Sequence, residues 1–291
     1  MNFKILIRKL ESILRFLPDE TYLKLKYRYK MKRKLNLENP QTFNEKMQWL
    51  KIHDRKDIYT KLVDKYEVKK IIGEIIGEEY IIPTLGVWNK FDDIEFDKLP
   101  DKFVLKCTHD SGGLYICNDS TKFDIEQARE KITSSLKHNF FWSGREWPYK
   151  NVMPQIIAEP FIEDNELKEL RDYKFFCFDG NVKVFKVDFG RFTEHHANYY
   201  DKNMQLLLLQ EKEFPRDEKM KIIFPITIGK MIEMAESLSR GFSFVRIDFY
   251  DVNGHIYFGE ITLYPNSGYG VIEPEEWDYK LGEWIKLPER G

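Results

Sequence analysis

Residues 245–268 read VRIDFYDVNGHIYFGEITLYPNSG. Two runs rich in β-branched and aromatic residues, Phe244 to Tyr250 and His255 to Thr262, flank Asp251-Val252-Asn253-Gly254. An Asn-Gly pair between such runs is the chemistry of a β-hairpin turn. Asp248 falls within the first strand and Glu260 within the second, each among apolar neighbours. Burying a carboxylate in such a strand is costly unless it finds a partner. Two readings stand side by side at this point. Carboxylates on paired strands suit Mg²⁺, a hard cation that takes a few of them and completes its shell with water and phosphate oxygens. An ion pair from Asp248 or Glu260 to Arg246 accounts for the same residues with no ligand.

A second hairpin signal precedes this one. Asp179-Gly180-Asn181 joins strands expected over Tyr173 to Phe178 and Val182 to Asp188. Asp172 and Lys174 are alternate residues and point to one face, with Arg191 at the end of the partner strand. Taken alone, this group reads as cross-strand charge pairing. Earlier still, Phe103-Val104-Leu105-Lys106-Cys107 is a short apolar strand, the loop Thr108 to Gly113 follows, and Leu114 to Cys117 is a second strand. Lys106 can reach phosphate oxygens there, while the glycines of Ser111-Gly112-Gly113 let backbone N–H groups approach them. A lysine before a glycine turn is also common where no ligand binds. Gln155 to Phe161 is a further strand, carrying Ile157, Ala158 and Glu159.

Elsewhere the periodicity is helical. Thr42 and Glu45 fit a capping box, a helix is expected from Ile58 to Ile76 with Gly77 as its stop, and others over Asp124 to Asn139 and Phe224 to Gly241. Phe140 to Tyr149 is an aromatic segment, and the tail from Glu273 to Leu287 is short helix and loop. Near the start, Phe3, Leu6, Ile7, Leu10, Ile13, Leu14 and Leu17 recur at helical spacing, with Lys4, Arg8, Lys9 and Arg15 off the stripe. Such a helix ordinarily packs on the body; residues 1–17 also suit peripheral contact with an anionic membrane. Strands of mixed spacing with helices between them indicate an α+β fold with mainly antiparallel sheets. The expected divisions are 1–55, 56–156 and 157–291.

Composition narrows the class. At 291 residues, 42% hydrophobic and 15% aromatic, the chain can bury a sizeable core. No apolar run approaches a membrane span, and the start lacks a small-residue cleavage site, which leads to the expectation of a cytoplasmic protein. Cys107, Cys117 and Cys177 are odd in number and lack metal-type spacing, in keeping with a reducing compartment. Residues 1–34 carry eleven basic and three acidic side chains on a chain whose net charge is −2, so the body is acidic and disfavours nucleic-acid binding. G-x-x-x-x-G-K-[ST], G-x-G-x-x-G, H-E-x-x-H, C-x-x-C and G-x-S-x-G are all absent.

Taken in order, these residues resemble the ATP-grasp superfamily and, more narrowly, the TupA-like ATP-grasp proteins of bacterial surface-polysaccharide biosynthesis. The resemblance is carried by KLVDKYEVKKII, FVLKCTHDSGG, REWPY, PQIIAEPFIED, RDYKFFCFDGNVKVFKVDFGR, VRIDFYDVNGHIYFGEITLYPNSG and LGEWIKLP, over about residues 20–288. It implies an N-terminal helical segment followed by two α+β subdomains that grip ATP, the smaller carrying the phosphate lysine and glycine loop, the larger the metal carboxylates. On it, Lys106 holds the α- and β-phosphates and Ser111-Gly112-Gly113 covers them. Ile157, Ala158 and Glu159 are the hinge that reads adenine, and Asp172 binds ribose. Lys174 and Arg191 face the phosphates or an acyl-phosphate. Asp248 and Glu260 hold Mg²⁺, with Arg246 nearby. Where many relatives have Glu-x-Asn, this chain has Glu260-Ile261-Thr262, and Asn266 is the residue available to supply the missing oxygen.

The function so implied is a carboxylate–amine ligase that forms an acyl-phosphate from a small-molecule or glycan acid and then an amide. Its acid would be a uronic acid of a capsular or wall glycan, and its partner an amino acid or amine. Two other classes stay open: a sugar-transferring enzyme of the same pathway, weakened by the lack of a D-x-D motif in a nucleotide-sugar setting, and a non-catalytic nucleotide-binding scaffold. Nothing in the sequence sets an oligomeric state.

Overall fold

The computed structural model describes residues 14–164, 170–190 and 193–289. Arg191, and the amphipathic stretch up to residue 13, lie outside the described residues. The fold opens with helices. α1 (Asp19–Met31) turns Tyr22, Leu23 and Tyr27 inward, and α2 (Phe43–His53) starts on the expected capping box. Thr42 Oγ1 accepts the Glu45 N–H and Glu45 Oε2 accepts the Thr42 N–H, each at 3.2 Å. The single helix expected over 58–76 is two, α3 (Ile58–Val63) and α4 (Glu67–Ile76). Asp64 makes the break. Its Oδ1 accepts the N–H groups of Tyr66 and Glu67 at 2.8 and 3.1 Å, which caps α4, while the Lys65 N–H is drawn to the Thr108 carbonyl at 3.1 Å.

A four-stranded antiparallel sheet follows: β1 (Gly86–Trp88), β2 (Phe103–Cys107), β3 (Leu114–Cys117) and β4 (Ile156–Pro160), in the order β1-β4-β2-β3. α5 (Ile125–Leu136), capped by Asp124 accepting the Gln127 N–H at 2.9 Å, covers one face. Phe103, Leu105, Cys107, Ala128, Ile132, Ile156 and Ala158 form the small core between them. Because β4 pairs with β1 and β2, the division expected at 156/157 cuts a strand of this sheet. α6 (Phe141–Gly144) is a single turn within the aromatic segment.

The larger sheet holds β5 (Asp172–Phe178), β6 (Asn181–Phe189), β7 (His196–Asp201), β9 (Phe244–Val252) and β10 (His255–Thr262), all antiparallel, in the order β10-β9-β5-β6-β7. The short β8 (Gln210–Glu211) pairs with β11 (Ile272–Glu273) beside it. Both hairpin turns are as expected, with left-handed residues at Asp179 and Gly180 (φ 49° and 76°) and at Asn253 and Gly254 (φ 54° and 83°). α7 (Ile228–Leu238) packs on the sheet through Met231 and Ala235, and α2 joins the same core through Phe43, whose ring meets Phe244 edge-on at 4.9 Å. α8 (Glu276–Glu283) closes on α2, with Asp278 Oδ1 accepting the Asn44 N–H at 3.1 Å. The N-terminal helices therefore belong to the core of the large sheet. Among the described residues no helix is long and apolar enough to cross a membrane.

Candidate active site

The two sheets face each other across a cleft of about 290 Å³. Leu62, Val63, Val68, Ile81, Ile82 and Phe258 supply its apolar lining, and Lys65, Lys69, Lys106, Glu159, Tyr149 and Glu260 its polar groups. β2 and β4 put Lys106 and Glu159 on the cleft side of the small sheet, where they form an ion pair. Lys69 Nζ reaches the other Glu159 oxygen at 2.5 Å and the Ile82 carbonyl at 2.8 Å. Burial pushes the Glu159 carboxyl up, yet Lys106 and Lys69 together outweigh it and hold it below its ordinary value. Lys69 itself is lowered, because its own burial exceeds what a shared carboxylate returns. Lys65 is lowered too: burial drives it, with Glu260 and Asp110 opposing. Three lysine ammonium groups thus converge on one cleft.

The Gly loop is built around Asp110. Its Oδ1 accepts the Gly113 N–H at 2.9 Å, Ser135 Oγ donates to its other oxygen, and its carbonyl accepts from Lys65. The two glycines do different work. A Cβ on Gly113 would stand 2.6 Å from Cys107 and 2.5 Å from Ser135 Oγ, whereas one on Gly112 would meet nothing closer than 3.9 Å. Gly113 is required by packing and Gly112 is not. Ser111 and Gly113 line the cleft.

The polar face of the large sheet forms the floor. Arg246 Nε and Nη2 donate to the two oxygens of Asp248, both at 2.7 Å. Lys174 Nζ stands 2.8 Å from Asp248, 3.3 Å from Asp172 and 3.6 Å from Asp188. Lys186 lies 2.7 Å from Glu211 and 3.6 Å from Asp188. Burial would lift the Asp248 carboxyl, but Arg246 and Lys174 overcome it and keep it lowered, hence ionised. Burial likewise opposes the charge on Lys174, which Asp248 and Asp188 raise above its ordinary value. Glu260 is opposite Asp248 in the β9–β10 register, at a bulge where Gly259 is the extra residue. Thr262 Oγ1 donates to Glu260 Oε1 at 2.6 Å and accepts from Arg246 Nη2 at 3.0 Å.

Glu260 lines the cleft and is the carboxylate open to a cation there, whereas both oxygens of the buried, ionised Asp248 are taken by Arg246 and Lys174. Among the described residues no group of three or more His, Cys, Asp or Glu side chains is arranged to hold a metal by itself. Asn266 points elsewhere: its Nδ2 donates to Glu211 Oε1 at 2.9 Å. The turn Asn266–Gly268, with φ of 47°, 54° and 63°, rotates it there.

Of the residues singled out in the sequence, Lys106, Ser111, Gly113, Glu159 and Glu260 meet in the cleft, and Asp172, Lys174, Arg246 and Asp248 meet on the floor. Ile157 and Ala158 sit inside β4, flanked by β1 and β2, so their backbone groups are committed to both ladders and cannot read a base. The pairing continues past Pro160, where the Phe161 N–H donates to the Lys102 carbonyl at 3.3 Å. Glu159 contributes its side chain instead. Sequence reasoning missed Lys65 and Lys69, whose signal was Asp64-Lys65 inside an otherwise helical run, and also Lys186, Asp188 and Glu211; Tyr149 lies in the aromatic segment it did single out. Burial carries the Tyr149 hydroxyl well above its ordinary value, with Glu146 and Glu260 adding to the effect.

A small antiparallel sheet and a larger one closing on a lysine-lined cleft, with paired carboxylates on the last hairpin, define an ATP-grasp protein. The model of the TupA-like ATPgrasp family matches residues 45–286, and the chain belongs to that family. Among solved structures it is similar to D-alanine–D-alanine ligase from Helicobacter pylori, at 15% identity and a TM-score of 0.45 over 86% of this chain and 70% of that one. It is similar to L-amino acid ligase from Bacillus licheniformis at 15% and 0.44, over 77% of this chain and 49% of that one. For N5-carboxyaminoimidazole synthetase from Staphylococcus aureus, complexed with ADP, the values are 13% and 0.44, over 86% and 61%. The chain thus spans between 49% and 70% of the length of these structures. No match is found among the curated proteins.

Proposed function

We propose that this protein is an ATP-dependent carboxylate–amine ligase, and that its acid substrate is a uronic acid of a capsular or cell-wall polysaccharide joined to an amino acid or amine. The observation that carries the reading is the convergence of Lys65, Lys69 and Lys106 on a cleft whose opposite wall presents Glu260, one strand from the ionised Asp248. A polyphosphate needs that arrangement, and the apolar lining of the cleft takes the base. The chemistry begins with attack of a carboxylate on the γ-phosphorus of ATP, releasing ADP, and ends with attack of an amine on the acyl-phosphate, releasing phosphate.

In this reading Lys106 and Lys69, oriented by their shared Glu159, neutralise phosphate oxygens, and Lys65 does so from the other side. Arg246 faces the developing charge from the floor, held by Asp248. Mg²⁺ bound at Glu260 would supply further neutralisation of the polyphosphate. The apolar lining excludes water from the base and the Ser111–Gly113 loop closes over the chain of phosphates. Cytoplasmic placement follows from the need for ATP. The test is ADP release measured with glucuronate or galacturonate and a panel of amino acids: release that needs both an acid and an amine is expected, and full turnover by Lys106→Ala or Glu260→Ala would overturn the assignment.

A further inference from the structure

Lys24–Lys34 reads KLKYRYKMKRK, seven basic residues and no acid, in a chain whose net charge is −2. Three of these cations are engaged within the fold. Lys24 pairs with Glu20 at 2.6 Å, Lys26 donates to the Ser143 carbonyl, and Arg33 reaches Glu275 and Asp278 at 2.6 and 2.5 Å. Arg28, Lys30, Lys32 and Lys34 are exposed, and among the described residues no carboxylate pairs with them.

Thr21, Lys24, Leu25, Arg28 and Tyr29 are spaced by three and four residues and share the outward face of α1, while Tyr22, Leu23 and Tyr27 are buried. Leu25 is 55% and Tyr29 72% exposed, in the midst of the cations. Lys32 Nζ lies 4.8 Å from the centre of the Tyr29 ring. This mixture selects the occupant. A soluble polyanion is held by cations alone and gains nothing from an outward leucine. An anionic bilayer uses both: the cations meet lipid phosphates, and the leucine and tyrosine enter the boundary between headgroups and acyl chains.

We propose that the outward face of α1 seats this protein on an anionic lipid surface, independently of what the cleft catalyses. The face is continuous with the helical layer that packs on the large sheet. Docking through it would hold the enzyme at a membrane without inserting any helix.

The experiment is co-sedimentation of the full chain with phosphatidylcholine vesicles, with and without phosphatidylglycerol. Binding is expected only with phosphatidylglycerol, falling as salt rises. Combining Arg28→Gln, Lys30→Gln and Lys32→Gln is expected to weaken it on the order of a hundredfold, at about fivefold per charge. Leu25→Ser with Tyr29→Ser, at unchanged charge, is expected to weaken it about tenfold. All these side chains are exposed, so circular dichroism and ATP binding should be unchanged in both variants. Absence of binding to phosphatidylglycerol vesicles overturns the proposal. So does unchanged binding by the Leu25/Tyr29 variant, and so does complete displacement by soluble polygalacturonate, which would make the face a polyanion site.

Discussion

The two walls of the cleft handle charge in opposite ways. On one side, Lys106 of the small sheet and Lys69 of α4 share one carboxylate, Glu159, and both stay within reach of the cleft. On the large sheet, three buried cations meet four carboxylates: Arg246 pairs with Asp248, Lys174 with Asp172, Asp188 and Asp248, Lys186 with Asp188 and Glu211. The strand register there sets like against like, Lys174 opposite Lys186 and Asp172 opposite Asp188. Directly opposed like charges are unfavourable; the layer offsets them with ion pairs along the strands, diagonally from Lys174 to Asp188, and directly across from Lys174 to Asp248 on the other neighbouring strand. One wall is a receptor short of anions; the other is a lattice whose cations serve the fold first.

The largest effect should come from breaking the lattice. Asp248→Ala leaves Arg246 and Lys174 buried with their main counter-charge gone, and a loss of about 3–5 kcal/mol is expected in urea denaturation. Lys106→Met, on the other wall, removes a side chain that is 25% exposed. It should change stability by less than about 1 kcal/mol while abolishing ATP binding measured by calorimetry. If Lys106→Met proved as destabilising as Asp248→Ala, the two walls would not differ in kind.

Next is the loop. Gly113→Ala is expected to cost about 1–3 kcal/mol, since the new methyl overlaps Cys107 and Ser135. Gly112→Ala should leave stability within about 0.5 kcal/mol and show itself only as weaker ATP binding, because nothing in the fold opposes the added methyl. Equal destabilisation by the two alanines, read by thermal denaturation, would remove the distinction between a packing glycine and a loop glycine.

This distinction also marks what the sequence could carry. Alternation and Asn-Gly or Asp-Gly turns fix register, so the pairing of the Asp248 and Glu260 strands and the single face shared by Asp172 and Lys174 were legible before any coordinates. Lys106 at the end of an apolar strand was legible for the same reason. Lys65 was not: the apolar period runs unbroken from Ile58 to Ile76, and only the Asp64 cap interrupts it. The segment expected as a hinge, Ile157 to Glu159, falls inside a strand because a strand and its exit look alike in sequence; which residues are paired on both sides depends on β1, a three-residue strand with little signal of its own. Glu211 was invisible because β8 is two residues long, and Asn266 turned away through a left-handed turn that only Gly268 announced.

A smaller effect separates the walls by pH. Glu159 is lowered from its ordinary 4.5 in the fold, so the unfolded chain binds more protons near that pH and stability rises with pH there. The contribution is complete above 4.5 and is lost as pH falls through the lower folded value. Glu159→Gln has no such proton to gain. Its stability should fall less steeply than that of the natural chain below pH 4.5, measured by thermal denaturation across an acid series. Parallel slopes would mean that Glu159 is not held by its lysines.

The smallest expected effect tests whether the walls communicate. Thr262 stands where Glu-x-Asn enzymes have Asn, and its hydroxyl bridges Arg246 of the lattice to Glu260 of the cleft, accepting at 3.0 Å and donating at 2.6 Å. Thr262→Val keeps the shape and β-branching and deletes only the bridge. The expected cost is about 0.5–1.5 kcal/mol in urea denaturation. Glu260 also loses the donor that fixes its carboxylate, so the Mg²⁺ concentration needed for half-maximal ATP binding should shift by about threefold. A stability loss with no change in Mg²⁺ dependence would confine Thr262 to the lattice. A Mg²⁺ shift with no stability loss would assign it to the cleft, and the combined response is the one that a hydroxyl shared between the two walls requires.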